Sequence, residues 1–189
     1  MIYIDDRLDL FDLDASLSLL SDERRERVMR YRNEGDRKRS AAAYILLCKA
    51  LSEEYGIEEK PLFAYGEHGK PAIVGHEEIH FNLSHCREAV ACAVADEPIG
   101  IDIESVHRYN EQLARYTMND SEMEEILSSE RPDIAFTRLW TRKEAVLKLS
   151  GEGLRSNMKD VLSGREDITT TISPDERYVY SVAKDKLTD

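Results

Sequence analysis

The sequence predicts an α+β fold. Apolar runs with helical and with strand periodicity are mixed without the regular strand–helix–strand rhythm of a parallel sheet. The order strand, helices, strands runs once before residue 98, and a similar order runs again after it, which leaves two like lobes open. A chain of 189 residues suits one large domain or two small lobes sharing a core.

The elements follow from local signals. MIYI (1–4) reads as a first strand, and Ser21 is an N-cap for the helical run DERRERVMRYR. A second helix starts near Asp36 and stops at Gly56, a natural residue just past a helix end. Its interior, AAAYILLCKAL, is apolar enough to make it a core element. LFAY, the turn GEHGKP, IHFNLSH and AVACAVA are strand-like runs punctuated by Gly and Pro. In PIGIDIESV (98–106), Ile99, Ile101 and Ile103 alternate with Gly100, Asp102 and Glu104, the pattern of a half-buried strand. Asn119, Asp120 or Ser121 can cap SEMEEIL, and Pro132 suits the first turn of a helix that ends at Gly151. DITTTIS and RYVYSVAK, with a PDE turn between them, give two closing strands.

Composition narrows the class. The net charge of −12 argues against general nucleic-acid binding, and no apolar run approaches a membrane span. The N-terminus is acidic and unlike a signal peptide. Cys48, Cys86 and Cys92 form no zinc-binding spacing, and free thiols point to the cytoplasm. Charge is uneven: residues 24–39 hold eight Lys/Arg against three Asp/Glu, leaving the rest at about −17. Such a basic island is either a solvated helix surface or the seat of an anionic ligand.

Several pieces carry chemistry. Period two sets Asp102 and Glu104 on one strand face, roughly 6–7 Å apart. That face is either solvated or half of a site for a hard cation such as Mg²⁺, with Glu144 as a third carboxylate. On a helix Trp140, Glu144 and Lys148 line one stripe, followed by the Gly-rich run SGEGL, where Gly151 and Gly153 permit a sharp turn. Ser84 and His85 are neighbours, but adjacent strand residues face opposite ways, which opposes a catalytic dyad. They read as a polar strand end that meets an anion, or as a structural histidine. Lys70 is held out on the GKP turn, a place where lysines are commonly just solvated.

In this order, DRKRS (36–40), GKP (69–71), FNLSH (81–85), GIDIE (100–104) and WTRKEAVLKLSGEGL (140–154) resemble the 4′-phosphopantetheinyl transferase superfamily, specifically its Sfp-like branch. The resemblance covers about residues 1–165. It implies two similar α/β lobes related by a pseudo-twofold axis, with the active site between them. An N-terminal lobe over 1–98 would make the nucleotide contacts. A C-terminal lobe over 99–189 would carry the metal motifs and meet the carrier. The implied activity is Mg²⁺-dependent transfer of the phosphopantetheine arm of coenzyme A to a serine of an apo acyl, peptidyl or aryl carrier protein, with 3′,5′-ADP leaving. Matched by position, Asp102, Glu104 and Glu144 are implied as metal ligands, and Glu144 also as general base. Lys148 would stabilise charge on the diphosphate. Arg24, Arg27, Arg39, Ser40, Lys70, Ser84 and His85 would hold the nucleotide end and its phosphates. The segment 113–127 resembles the part of the family that helps meet the carrier; Met118 there is a soft apolar contact or core, and Arg115 is a candidate docking residue. The Sfp-like form implies a monomer.

The chemistry agrees, because phosphoryl transfer depends on positioning and charge neutralisation. The competing reading is a non-catalytic module that keeps a coenzyme A pocket; loss of a metal carboxylate or of Lys148 would favour it, and all are present. Metal-dependent phosphoester hydrolysis would use the same carboxylates without needing a carrier serine.

Overall fold

The computed structural model of the chain describes residues 1–66, 69–107, 109–151, 157–165 and 167–185. The first half runs β1 (Ile2–Asp5), α1 (Leu13–Ser16), α2 (Asp22–Met29), α3 (Glu34–Tyr55), β2 (Phe63–Tyr65), β3 (Pro71–Ile73), β4 (His80–His85) and β5 (Val90–Ala95). The second runs β6 (Ile99–Ser105), α4 (Glu111–Thr117), α5 (Asp120–Ser128), α6 (Pro132–Ser150), β7 (Ile168–Ile172) and β8 (Tyr178–Lys184). The mixture of helices and strands is the one predicted.

Each half has the same strand order. The first antiparallel sheet is β1-β5-β4 and the second is β6-β8-β7, so in both the last strand of the half lies between the first and the second; β2 and β3 form a separate ribbon. Each sheet is packed by one long helix, α3 on the first and α6 on the second.

The alternation along β5 builds both interfaces. Val90, Cys92 and Val94 meet Ala43, Leu46, Leu47 and Leu51 of α3. Ala89, Ala91 and Ala93 turn the other way and pack on Ile99, Ile101 and Ile103 of β6. Small side chains from one sheet pack against branched ones from the other. The half-buried strand expected at β6 is corrected here. Its isoleucines face the first sheet, while Gly100, Asp102 and Glu104 face α6, and only Glu104 and no other residue of the strand is more than slightly exposed.

Caps set the helix ends. The Ser21 side chain accepts from the Arg24 N–H at the start of α2, as expected. Asn33 caps α3, which starts at Glu34, two residues ahead of the expected Asp36. Of the three candidates before α5, Asn119 is the cap, in a reciprocal capping box with Glu122. Pro132 opens α6, and Gly151 closes it with a left-handed φ of 74° that a side chain would resist. Helix α4, capped by Asn110, was not anticipated; at seven residues it offers too few turns for a clear apolar period.

Candidate active site

The site lies where β4, β6 and α6 meet. Asp102 sits on β6 at 3% exposure. Its Oδ1 accepts from Lys148 Nζ at 2.6 Å and from the Ser84 hydroxyl at 2.9 Å. Its Oδ2 is buried and has no hydrogen-bond partner among the described residues. Gly100, two residues earlier, makes this closeness feasible. A Cβ there would overlap the Ala145 carbonyl oxygen and stand 2.6 Å from the Leu149 nitrogen, so α6 lies directly on the strand.

The helical spacing on α6 presents Trp140, Glu144 and Lys148 to that strand. Burial pushes Glu104 up to about 7, and the Asp102 charge adds to the rise. Lys148 and a hydrogen bond from the Trp140 indole pull the other way. Glu144 is also held above the usual carboxylate range, by burial first and then by Asp102, again opposed by Lys148. The three carboxylates thus feel one another through a poorly solvated space.

Ser84 and His85 do face opposite ways. Ser84 pairs with Ala91, on the side turned to β6, and is buried; His85 pairs with Val90, on the α3 side. The Ser84 hydroxyl donates to Asp102 and accepts from Lys148 Nζ at 2.9 Å and from the Ile103 N–H at 3.3 Å. A hydroxyl has one proton and two lone pairs, so its capacity is filled within the protein. His85 is exposed at its surface but set among protein mass that lowers its pKa, with Arg39 and Lys148 adding to the fall.

The basic island forms a second group. Arg24 donates to the carbonyl and hydroxyl oxygens of buried Ser40 at 2.9 and 3.1 Å and lies 5.7 Å from the centre of the Tyr44 ring. Its Nε is buried without a hydrogen-bond partner among the described residues, and burial together with Arg27 lowers its pKa. Arg27 donates to the Tyr65 hydroxyl at 2.5 Å, and Arg39 to Asp36 at 2.5 Å. Lys70 reaches from the turn before β3 to the Leu149 carbonyl at 2.9 Å, where a cation suits the end of α6. The structure therefore gathers Arg24, Arg27 and Ser40 in one place and Asp102, Ser84 and Lys148 in another. Arg39 and His85 stand between them. Gly153 and the rest of 152–156 lie outside the described residues.

Among the described residues, no three His, Cys, Asp or Glu side chains stand as a ready-made metal cage. The residues present still fit a hard divalent cation. The donors are carboxylate oxygens, one of them is a buried Oδ2 without a hydrogen-bond partner among the described residues, and burial and the Asp102 charge raise the two neighbouring carboxyls, Glu104 and Glu144.

Two cavities adjoin Trp140. One of about 290 Å³ is lined by Glu104, His107, Leu113 and Phe136. The other, of about 580 Å³, is lined by Arg115, Tyr116, Met158 and Lys159. Arg115 is exposed and paired with Glu111, whereas Met118 is 1% exposed and belongs to the core. Sequence reasoning missed Asn82, whose Oδ1 accepts from the Ile101 N–H at 3.2 Å. The available signal was its place two residues before Ser84 on one strand face. It also missed the buried pair of Lys143 and Glu122, where a Glu and a Lys far apart in sequence gave no pattern.

Comparison with known proteins bears on the whole chain. Residues 98–185 match the family model of the 4′-phosphopantetheinyl transferase superfamily, and residues 10–97 match that of the 4′-phosphopantetheinyl transferase N-terminal region. The chain is 31% identical over 156 residues to the 4′-phosphopantetheinyl transferase Sfp of Bacillus subtilis (strain 168), covering 81% of this chain and 70% of that protein. It is 34% identical over 140 residues to the 4′-phosphopantetheinyl transferase gsp of Aneurinibacillus migulanus, covering 72% and 58%. It is 38% identical over 116 residues to the 4′-phosphopantetheinyl transferase AcpT of Salmonella typhi, covering 58% and 57%. With one family model over residues 98–185, another over residues 10–97 and a relative 31% identical over 81% of this chain, the chain belongs to the 4′-phosphopantetheinyl transferase superfamily.

Proposed function

We propose that this protein transfers the 4′-phosphopantetheine arm of coenzyme A to a serine of an apo carrier protein in a Mg²⁺-dependent reaction, releasing 3′,5′-ADP. The observation that carries the reading is Asp102, with Oδ1 engaged by Lys148 and Ser84 and Oδ2 buried and unpartnered beside Glu104 and Glu144.

Asp102, Glu104 and Glu144 would hold Mg²⁺, which would supply charge neutralisation for the diphosphate. Lys148 has three N–H donors; two meet Asp102 and Ser84, leaving one for a diphosphate oxygen. Glu144 takes the proton from the carrier serine as general base. The serine oxygen bonds to the β-phosphorus of coenzyme A, and the bond from that phosphorus to the oxygen of the nucleotide part breaks. Arg24, Arg27, Arg39, Lys70 and His85 hold the nucleotide end, with Ser40 fixing Arg24.

We further infer that the two halves are related lobes about a pseudo-twofold axis, a reading supported by their shared strand order and single long helices. Exposed Leu113 and Tyr116 offer the carrier an apolar surface beside Arg115. We take the protein to act as a cytoplasmic monomer; none of its described helices is long and apolar enough to cross a membrane.

The test is the intact mass of an apo carrier protein after incubation with this protein, coenzyme A and Mg²⁺. A gain of one phosphopantetheine arm, abolished by EDTA, is the expected result. No gain across fatty-acid, polyketide and nonribosomal-peptide carriers, with coenzyme A still bound in calorimetry, would favour the non-catalytic binding module.

A further inference from the structure

The two sheets meet along β4 and β6, yet no backbone ladder joins these strands among the described residues. Side chains take its place. Asn82 Oδ1 accepts from the Ile101 N–H at 3.2 Å, and Ser84 Oγ accepts from the Ile103 N–H at 3.3 Å. At the far end the direction reverses, and Ser105 Oγ of β6 accepts from the Arg87 N–H at 3.3 Å. The partners advance together, 82 with 101 and 84 with 103, so each strand contributes every second residue to the seam.

The seam solves a problem that β6 poses. Ile101 and Ile103 are fully buried, and their N–H groups point away from β8 towards the first sheet. Water does not reach them, so each needs an acceptor from the protein. Ser84 supplies one and uses its own proton on Asp102 Oδ1. A single hydroxyl thus fixes both the backbone of the strand and the rotation of the carboxylate that the strand carries. With Oδ1 held by Ser84 and Lys148, the remaining oxygen, Oδ2, is the one left to receive a ligand.

We propose that Asn82 and Ser84 are positioning residues that lock β6 across the seam and present Asp102 Oδ2 to the metal. The proposal rests on the transferase reading above. It gives the Ser84 hydroxyl a task besides the phosphate contact implied by resemblance, since it already joins Asp102, Lys148 and the Ile103 N–H. It gives Asn82 a task where none was assigned.

The experiment compares Ser84→Ala and Asn82→Ala with the conservative Ser84→Thr and Asn82→Asp, which keep the hydroxyl and the acceptor oxygen. Mn²⁺ binding is followed by electron paramagnetic resonance with coenzyme A present, coenzyme A binding by calorimetry in EDTA, and transfer by kcat and KM. Both alanine variants should bind Mn²⁺ about tenfold or more weakly and lose kcat to a similar extent. The affinity of Asn82→Ala for coenzyme A in EDTA should stay within about twofold of wild type, and the Thr and Asp variants should recover most of the lost Mn²⁺ binding. Ser84→Ala that binds coenzyme A weakly in EDTA but Mn²⁺ normally would overturn the proposal and make Ser84 a phosphate contact. Unchanged Mn²⁺ binding in both alanine variants would overturn it too, as would wild-type protein that binds no Mn²⁺. If Ser84→Ala does not fold, Asn82→Ala decides alone, since it leaves the Asp102 hydrogen bonds intact. Wild-type protein that binds Mn²⁺ with coenzyme A but modifies no carrier would sink the transferase reading and not this one.

Discussion

Lys148 Nζ stands 2.6 Å from Asp102 Oδ1, and its charge lowers the pKa of both Glu104 and Glu144. One ammonium therefore tempers three carboxylates. Lys148→Met should lower transfer by on the order of a hundredfold or more, the scale seen when a preorganised charge is lost. It should also raise both glutamate pKa values, so the acid limb of the kcat/KM–pH profile moves to higher pH. A loss of rate with an unmoved acid limb would separate Lys148 from the carboxylates.

Glu104 gives a pH dependence of stability. Its carboxyl is raised from 4.5 to about 7 in the folded protein, first by burial and then by Asp102. Folding favours the neutral form, so this contribution is complete below the unfolded value and is lost as pH rises through about 7. In EDTA, the Tm of wild type should fall relative to that of Glu104→Gln between about pH 5 and pH 8. Mg²⁺ should reverse the fall, because a cation favours the ionised carboxylate. A Tm difference that does not change with pH would remove Glu104 from the buried charge cluster.

How far the sequence could be read depended on the range of the interaction. Capping is local, so Ser21, Asn119 and Pro132 were legible. The period-two pattern gave β6 but misjudged its burial, since the face of Gly100, Asp102 and Glu104 is covered by α6, about forty residues on. Periodicity put Asp102 on one strand face with Glu104, and Glu144 and Lys148 on one helix stripe, while motif order implied their roles. What no local pattern carries is a bond between a side chain and a distant backbone, as between Asn82 and Ile101. The same holds for Lys143, which reads as a charged surface residue and is fully buried.

Gly100 should tolerate no side chain. The atoms that an added Cβ would meet are backbone atoms of Ala145 and Leu149, which cannot swing aside. Gly100→Ala must push α6 off β6, at a cost of about 3 kcal/mol or more, above the usual overpacking range for a flexible neighbour. Urea denaturation followed by far-UV circular dichroism measures it. Stability within about 0.5 kcal/mol of wild type would show that α6 is free to shift.

Lys143 and Glu122 test the α5–α6 junction. Lys143 Nζ lies 2.8 Å from Glu122 Oε1 and donates to the Met158 carbonyl at 2.7 Å, with side-chain exposures of 0% and 9% for the pair. Glu122 also accepts from the Asn119 N–H at 2.8 Å. Glu122→Gln leaves a buried ammonium without its counter-charge and should cost about 3–5 kcal/mol. Lys143→Met alone strands the carboxylate at similar cost, while the double variant should regain part of the loss. Strictly additive losses in urea melts would mean that the two charges do not interact.

Arg27 and Arg39 test the anionic ligand of the basic island. Arg27 is exposed and held by Tyr65, and Arg39 lies near His85 and pairs with Asp36. Both cations are placed to meet phosphates at low cost in side-chain ordering, because their partners already hold them. Arg27→Ala and Arg39→Ala should each weaken coenzyme A by about tenfold in calorimetry at low salt, the scale of one charge-assisted hydrogen bond. The gap should narrow as salt rises and screens the exposed charges. Neither change should alter Mn²⁺ binding, because the metal carboxylates form a separate group around Lys148. An affinity for coenzyme A that both variants leave untouched would return the island to a solvated helix surface and move the nucleotide end elsewhere.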